Sequence, residues 1–365
     1  MKTFSCTHCG HRVFFENTVC TACGAALGYI PALGALAAFE VAPDGVWRSD
    51  GVAGAWRPCR NYRDAQVCNW MLAADDPEAL CSCCRHTEVI PDLTRPDNHR
   101  YWALLEAAKR RLCHGLDALG LARPGPADDP GRGLRFHFLE TLDPASQVLT
   151  GHDSGLVTLN VAEADDAERE ARRSAMGEPY RTLLGHFRHE SGHFYWDRLV
   201  ADGPWLAGFR AHFGDERADY AAALQQHYAA GPADDWPQRF VSAYASAHPW
   251  EDWAETWAHY LHVVDALDTA AHWGLHLAGG PDTPAGDDPG APAAPDFRAR
   301  LVHGWLPLSR FLNSMNRSLG QADSYPFVLP DPVLAKLAFI HALVGAAAGL
   351  PWTHWPPSGP AQAQP

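Results

Sequence analysis

The sequence predicts an α+β protein in which a small cysteine-rich module precedes a mainly helical domain with a small strand-containing subdomain. Three observations lead to this prediction. Paired cysteines are concentrated near the N-terminus, strand-like segments follow at 134–140 and 155–161, and most segments with helical periodicity lie beyond residue 178. We therefore expect helices to form most of the larger domain.

The composition is that of a globular protein. The chain has 365 residues, of which 47% are hydrophobic and 20% charged, and its net charge is -14. Such an acidic chain is not expected to bind nucleic acid or an anionic membrane as its main partner. The N-terminus has no apolar signal segment, and the most apolar stretch, 332–350, is interrupted by Lys336 and His341. We therefore predict a cytoplasmic protein in which 332–350 is a buried helix.

The first four cysteines form two Cys-x-x-Cys-Gly pairs that are separated by ten residues. The glycine after each pair lets the backbone turn so that both sulfurs face one point, and four thiolates are a common ligand set for structural zinc. The intervening "HRVFFEN" (11–17) is predicted to form a hairpin. We interpret residues 1–30 as a zinc ribbon, with disulfides or free thiols as the alternative. The predicted zinc ligands are Cys6, Cys9, Cys20 and Cys23.

A second cysteine group lies within residues 31–97, which we interpret as a second zinc-binding module. The intervals between its cysteines are eight, twelve and two residues, which is a looser pattern than that of the first group. The alternative is a cluster of reduced, partly buried thiols. Cys83 could replace one ligand or be a bystander, and Cys113 lies in a helical segment where a core position is expected. The predicted ligands are Cys59, Cys68, Cys81 and Cys84.

Residues 98–350 are predicted to form the larger domain. Residues 121–133 are rich in Pro, Gly and Asp, which indicates a loop or domain boundary, and 279–296 has the composition of a flexible linker or a surface loop. The Pro-rich tail, 351–365, is predicted to be disordered. The predicted helices span 99–120, Glu178-Pro179 to Gly203-Pro204, 216–229 and 249–267.

Residues 189–193 read His-Glu-Ser-Gly-His, which is a His-Glu-x-x-His motif. On a helix, His189 and His193 project from one face, one turn apart, so both imidazoles can reach one zinc ion. Glu190 is offset by about 100°. Its carboxylate would lie beside the metal, where it can take a proton from a water activated by zinc. The motif predicts a catalytic site of the zincin type, with a chance match among the 20 histidines as the alternative.

A catalytic zinc site needs a third protein ligand. In one zincin subclass this ligand is a histidine six residues beyond the second, with a glycine between them, but this chain has Leu199 and Trp196 at those positions. Other zincins use a glutamate from a downstream helix, and "HPWEDWAETWAHY" supplies Glu251 and Glu255 on one helical face. We predict Glu251 as the ligand and Glu255 as the group that orients a histidine ligand. The alternative places both on the solvated side of an aromatic helix.

Other polar residues near these motifs are further candidates. His259 and His262 are rival ligands, but they lie two and three turns beyond the predicted glutamate and cannot share its zinc ion. Tyr244 is the first candidate for stabilising an oxyanion and His248 the second, with packing and helix capping as their respective alternatives. His186, one turn before the motif, is expected to have a packing role.

The segment "GHDSGLVTLNV" (151–161) has strand-like alternation and precedes the motif helix. Zincins bind extended peptides along an edge strand through main-chain hydrogen bonds. The segment is consistent with that role, so we expect a peptide or protein substrate.

Several segments of the chain resemble a known family. "CTHCG…CTACGAALGY", "LCSCCR", "EPYRTLLGHFRHESGHFYWDRLV" and "SAYASAHPWEDWAETWAHYLHVVD" are similar to the bacterial zinc-binding metallopeptidases with an N-terminal zinc-ribbon domain. The similarity extends over nearly the whole chain. It implies a zincin-like peptidase with His189, Glu190 and His193 at its core, and it lends weight to Glu251 and to both sets of cysteine ligands.

Together these features predict a gluzincin-like zinc metallopeptidase with one catalytic and one or two structural zinc ions. His189, His193 and Glu251 would hold the catalytic zinc, Glu190 would be the general base, and Tyr244 would stabilise the oxyanion. The alternative is a zinc-stabilised binding or regulatory protein with a vestigial peptidase site. The presence of Glu190 argues against this alternative, because loss of the base is the simplest way to inactivate such a site.

Overall fold

The computed structural model describes residues 2–43, 45–143, 147–275, 277 and 296–349. The chain divides into two compact units, the first with most of the strands and the second with most of the helices. The α+β class predicted from the sequence is therefore confirmed. The first unit is Met1–Ala118 with Ala122–Arg172, and the second is Leu119–Leu121 with Arg173–Pro365.

The first unit begins with a two-stranded antiparallel sheet around the first cysteine pair. Strand β1 (Thr3–Ser5) pairs with β2 (Arg12–Phe14), and Phe4 lies opposite Val13. Both of these apolar side chains are buried. The hairpin predicted at 11–17 is wrong in position, because its first strand precedes the first cysteine pair and that pair lies in the turn.

A five-stranded antiparallel sheet follows, with its strands in sequence order. Leu27, Tyr29, Leu36 and Ala38 from its first two strands pack into one apolar core with two cysteines of the first group, Cys6 and Cys20, and with all four of the second. The two cysteine groups thus share a single core within the first unit. The strands are β3 (Ala26–Ile30), β4 (Ala35–Val41), β5 (Trp47–Ser49), β6 (Val52–Pro58) and β7 (Met71–Ala73).

A four-stranded mixed sheet completes the first unit, in the order β10-β11-β9-β8. Segment 151–161, which is consistent with an edge strand from its sequence, forms the antiparallel β10–β11 hairpin. Of these two strands, only β10 lies at an edge of the sheet, because β11 pairs on both sides. The strands are β8 (Thr87–Val89), β9 (Arg135–Leu139), β10 (Gly151–Asp153) and β11 (Leu156–Asn160). The accompanying helices are α1 (Arg60–Arg63), α2 (Asn98–Ala118) and α3 (Asp166–Ala175).

The second unit is helical, and two of its helices, α4 and α8, carry the predicted catalytic motif and the predicted glutamate ligand. A π-helical turn, Leu301–Trp305, joins α9 to α10. The helices are α4 (Leu183–Leu199), α5 (Leu206–Phe213), α6 (Tyr220–Ala230), α7 (Trp236–Arg239), α8 (Pro249–His272), α9 (Phe297–Arg300), α10 (Leu306–Ser318) and α11 (Asp331–Ala347).

Helix α4 begins at Leu183 and not near Glu178-Pro179 as predicted. Thr182 has extended backbone angles, and its Oγ1 accepts a hydrogen bond from the Gly185 N–H at 3.0 Å. A threonine N-cap of this kind satisfies one of the free N–H groups at a helix start. The cap therefore sets the helix start, and proline at 179 precedes the helix.

The C-terminal apolar segment forms helix α11, in agreement with the predicted helix. Its interrupting Lys336 is buried and forms an ion pair with Asp252 of α8, with Nζ and Oδ2 2.6 Å apart. The predicted linker and the predicted tail lie outside the described residues, apart from Asp296, which caps α9. Among the helices in the described ranges, none combines the length and apolar character that a membrane crossing requires.

Candidate metal centres and active site

The first cysteine group forms a cluster of four converging sulfurs. Cys6 Sγ lies 3.8 Å from Cys23 Sγ, and Cys9 Sγ lies 3.7 Å from Cys20 Sγ. A tetrahedral zinc site with Zn–S bonds of about 2.3 Å places its sulfurs about 3.8 Å apart. The measured spacing therefore fits four thiolate ligands of one zinc ion.

The second cysteine group forms a similar cluster. The four sulfurs of Cys59, Cys68, Cys81 and Cys84 lie within 4.8 Å of one another, and Cys68 Sγ is 3.9 Å from Cys81 Sγ. Backbone N–H groups point at the sulfurs, for example from Cys81 to Cys59 Sγ at 3.3 Å. These contacts stabilise thiolates, as a tetrathiolate zinc site requires.

The two clusters differ in exposure. Cys9 and Cys23 of the first cluster are exposed, whereas all four cysteines of the second cluster are at most 2% exposed. Lys109 and Arg110 of α2 are buried near the second cluster, and their positive charges reduce the cost of burying thiolates there. Cys83 and Cys113 are outside both clusters and interact with each other in the core.

The His-Glu-x-x-His motif lies on α4, close to α8. A Cβ atom added at Gly192 would lie 2.9 Å from the Cα atom of Ala254, so the glycine allows the two backbones to approach. Trp253 Nε1 donates to the Gly192 carbonyl at 2.8 Å, and Trp257 Nε1 donates to Ser191 Oγ at 3.1 Å. Ser191 and Gly192, the two variable residues of the motif, therefore contact α8 and hold α4 against it.

This docking brings together three potential metal ligands, His189, His193 and Glu251. The two imidazole Nε2 atoms are 3.3 Å apart, His189 Nε2 is 3.1 Å from Glu251 Oε2, and His193 Nε2 is 3.6 Å from Glu251 Oε1. Tetrahedral zinc with Zn–N and Zn–O bonds of about 2.0–2.1 Å places its ligand atoms about 3.3–3.4 Å apart. The arrangement fits one zinc ion with three protein ligands.

Hydrogen bonds around His189 favour a cation at this point. His189 Nδ1 lies 2.8 Å from Glu255 Oε1, and Ser242 Oγ donates to Glu255 Oε2 at 2.6 Å. An ionised carboxylate only accepts hydrogen bonds, so Nδ1 carries a proton, and Nε2 is left facing Glu251 to hold either a second proton or a metal ion. Burial lowers the pKa of His189, but the carboxylates of Glu251 and Glu255 outweigh it and hold that pKa well above its usual value. The site thus attracts positive charge, whether a proton or a metal ion.

Glu251 is ionised and only partly satisfied by hydrogen bonds. Burial raises its pKa, but the close contact with His189 and the positive charges of His193 and His189 lower it to about 2. Its Oε1 accepts a hydrogen bond from the Tyr220 hydroxyl at 2.7 Å. Its Oε2 is buried without a hydrogen-bond donor among the described residues, although His189 Nε2 lies close by. A buried carboxylate oxygen in this state is a suitable metal ligand.

Glu190 follows His189 on α4, is 6% exposed, and interacts electrostatically with His189 and Glu251. Burial is the main cause that raises the pKa of Glu190 to about 7, and the Glu251 and Glu255 carboxylates raise it further while His189 opposes them. A carboxyl group with a pKa near neutrality can both accept and release a proton at physiological pH. Its position and proton affinity suit a general base.

Tyr244 lies in a 3₁₀ turn (Tyr244–Ser246) just before α8, with its ring centroid 6.1 Å from that of His189. Burial and the Glu251 charge raise the pKa of Tyr244, so its hydroxyl stays protonated and can donate. His248, the second candidate, instead caps α8, because its Nδ1 accepts from the Trp250 N–H at 3.1 Å. The capping alternative for His248 is confirmed.

The rival histidines lie elsewhere in the second unit. His259 Nδ1 is 2.6 Å from the Tyr325 hydroxyl, and the His262 ring contacts Tyr180 and Tyr325. Burial lowers the pKa of His259 to about 4 and that of His262 to about 3, so both are neutral packing residues. Neither these two residues nor His186 belongs to a ligand group among the described residues.

Sequence reasoning missed three residues at this site. Tyr220, at the start of α6, contacts Glu251 across 31 residues, and Ser242 holds Glu255. The Trp250 ring contacts the His193 ring at a tilt of 43°, with centroids 3.9 Å apart. No spacing rule connects Tyr220 or Ser242 to the motif. Trp250 belongs to the series of aromatic residues along α8, and only its place beside Glu251 could have indicated a role at the site.

The chain is similar to known proteins over almost its full length. Residues 98–343 match the family described as "Putative zinc-binding metallo-peptidase", and residues 3–95 match a zinc-ribbon domain family. Uncharacterized proteins of Mycobacterium tuberculosis (strains H37Rv and CDC 1551) and Mycobacterium bovis are each 45% identical over 350 residues, which is 95% of this chain and 96% of each relative. No solved structure matches the chain.

Proposed function

The chain belongs to the family of zinc-binding metallo-peptidases that carry an N-terminal zinc-ribbon domain, and from this premise we propose that it hydrolyses peptide bonds with Glu190 as general base. The observation that carries the proposal is the convergence of His189, His193 and Glu251 with a buried carboxyl group beside them. A site with three protein ligands leaves a fourth position for water or substrate, which distinguishes catalytic from structural zinc.

The donor set suits zinc, and its chemistry suits hydrolysis. When bound, zinc lowers the pKa of water and polarises a carbonyl group. Two imidazoles and one carboxylate are the ligand set of several zinc peptidases. Glu255 and Ser242 support the site by holding His189 in the tautomer whose Nε2 lone pair faces the other ligands.

Glu190 would move the protons of the reaction. Its carboxylate takes a proton from the attacking water, and the carboxylic acid then donates that proton to the leaving amine. Burial supports this cycle, because a pKa of about 7 makes both states of Glu190 accessible near neutral pH. General acid–base catalysis of this kind contributes about 10²–10⁴-fold to the rate.

Tyr244 would stabilise negative charge on the substrate carbonyl oxygen. Its hydroxyl remains protonated and belongs to the turn that precedes the ligand helix. A donor that is fixed before the reaction costs little reorganisation in the transition state. Tyr244→Phe removes only the hydroxyl, so we expect kcat to fall about 10²–10³-fold with zinc content unchanged.

The proposal is tested with purified protein and a library of fluorogenic peptides. We expect cleavage by the wild type that is lost after chelation and restored by zinc. Glu190→Gln should keep the zinc and lose about 10²–10⁴-fold in rate, whereas Glu168→Gln on the surface of α3 should cleave normally. Cleavage by Glu190→Gln at the wild-type rate would refute Glu190 as the base.

A further inference from the structure

The hydroxyl of Tyr220 contacts only one of the two Glu251 oxygens. It donates to Oε1 at 2.7 Å, while Oε2 is buried without a donor among the described residues and lies 3.1 Å from His189 Nε2. The two oxygens of one carboxylate thus have different surroundings. The oxygen without a donor is the one free to bind a metal ion.

Tyr220 is held in this position from two sides. It is the first residue of α6, whose N-cap Asp219 accepts from the Ala222 N–H at 3.0 Å. Its ring makes edge contacts with His248 and Trp250, at centroid distances of 5.2 and 5.7 Å. The hydroxyl therefore reaches Glu251 from a fixed helix end and not from a mobile loop.

The number of oxygens that a carboxylate offers affects the coordination of zinc. A glutamate that binds through both oxygens fills an additional position, whereas a catalytic zinc needs an open position for water or substrate. A hydrogen bond to one carboxylate oxygen competes with the binding of that oxygen to the metal. Hydrogen bonds from neighbouring residues orient metal ligands in this way, and their loss typically costs 10–100-fold in metal affinity or activity.

We propose that Tyr220 is a positioning residue that keeps Glu251 a one-oxygen ligand and so preserves an open coordination position at the His189–His193–Glu251 site. The inference rests on the zinc site of the proposed function, but not on peptide cleavage. It assigns to Tyr220 a task distinct from the oxyanion stabilisation that is proposed for Tyr244.

The test uses cobalt as a spectroscopic probe. Zinc is removed from the histidine site by a mild chelator, the remaining zinc is counted by native mass spectrometry, and one equivalent of Co²⁺ is added. The difference spectrum against His193→Ala isolates this site from the cysteine clusters. Four-coordinate Co²⁺ absorbs visible light more strongly than five-coordinate Co²⁺, so the band intensity reports whether Glu251 binds through one oxygen or two.

We expect a strong, four-coordinate band in the wild type and a clearly weaker band in Tyr220→Phe, together with about tenfold weaker zinc binding. Tyr228→Phe is the matched control, since Tyr228 lies on the same helix and is 63% exposed. It should keep the wild-type band. Thermal unfolding of each variant confirms that it is folded.

Two results would overturn the inference. One is a weak, five-coordinate band in the wild type itself. The other is an unchanged band in Tyr220→Phe, even with weaker zinc binding, because that outcome assigns the hydroxyl a purely structural role. The expected bands in a protein that cleaves no peptide would support the inference and contradict the proposed function, so the two failures are distinguishable.

Discussion

His189 Nδ1 lies 2.8 Å from Glu255 Oε1, and this contact fixes which nitrogen of the imidazole faces the other metal ligands. Glu255→Gln keeps the shape of the side chain but removes its charge, and the amide can present a donor to Nδ1. We expect zinc affinity at this site to fall about 10–100-fold. Competition with a fluorescent zinc indicator measures this change. As a control, Glu168→Gln on α3 should leave the zinc affinity unchanged.

Gly192 has no side chain, and this determines how closely α4 can approach α8. The Cβ of Gly192→Ala would meet Ala254 Cα at 2.9 Å and Trp257 at 3.2 Å. We expect a loss of about 1–3 kcal/mol in the free energy of unfolding, and weaker zinc binding since the ligands lie on these two helices. Urea unfolding measures the loss.

Gly115 of α2 is the matched control for this substitution. A Cβ atom there would meet nothing within 4 Å, so Gly115→Ala should stabilise the protein by about 0.5–1 kcal/mol. If Gly192→Ala and Gly115→Ala had equal free energies of unfolding, the close approach of α4 to α8 would not be the reason for a glycine at position 192.

Acid should destabilise the protein partly through His262. Burial lowers the pKa of His262 to about 3, against about 6.5 in the unfolded chain. Because the unfolded chain binds the proton first, stability is fully present above pH ~6.5 and falls as pH drops toward 3, by about 2 kcal/mol at pH 5. His262→Phe should remove the part of the acid-induced loss of stability that is due to this histidine. Urea unfolding at pH 7.5 and pH 5 measures it.

Trp305 supplies the control for this pH dependence, because its ring contacts His262 but does not titrate. Trp305→Phe should lower stability at both pH values and keep the wild-type difference between them. A wild-type pH difference in His262→Phe would show that His262 does not contribute to acid sensitivity.

The different exposure of the two cysteine clusters predicts two rates of zinc release. N-ethylmaleimide alkylates accessible thiolates, so the cluster with exposed Cys9 and Cys23 should lose its zinc at least about tenfold faster than the buried cluster. Cys9→Ser should abolish the fast phase and Cys68→Ser the slow one. A single phase in the wild type would contradict this assignment.

The residues of the candidate metal centres could be selected from the sequence because their spacings have a geometric meaning. A four-residue interval on a helix and a two-residue interval between cysteines each place two donors at one point. The sequence also supported Glu251 and Glu255, because an aromatic helix that carries two carboxylates one turn apart is a recognisable pattern. The α+β class followed from the order of strand-like and helix-like segments.

Other features depended on contacts between distant residues. Tyr220 reaches Glu251 from a separate helix, 31 residues earlier in the chain, and no pattern in "ERADYAAAL" indicates this contact. The start of α4 depended on Thr182, whose capping hydrogen bond competes with the helix-start signal of Pro179. The first hairpin was misplaced because its strands are only three residues long, so alternation could not identify them.

We propose that a third zinc site, separate from the two cysteine clusters, performs catalysis. The most direct measurement is the zinc count by native mass spectrometry, made on the same samples that are assayed for peptide cleavage. We expect three zinc ions in the wild type, one for each ligand group, and two in an inactive His193→Ala variant. Two zinc ions in both proteins, or equal cleavage by both, would contradict it.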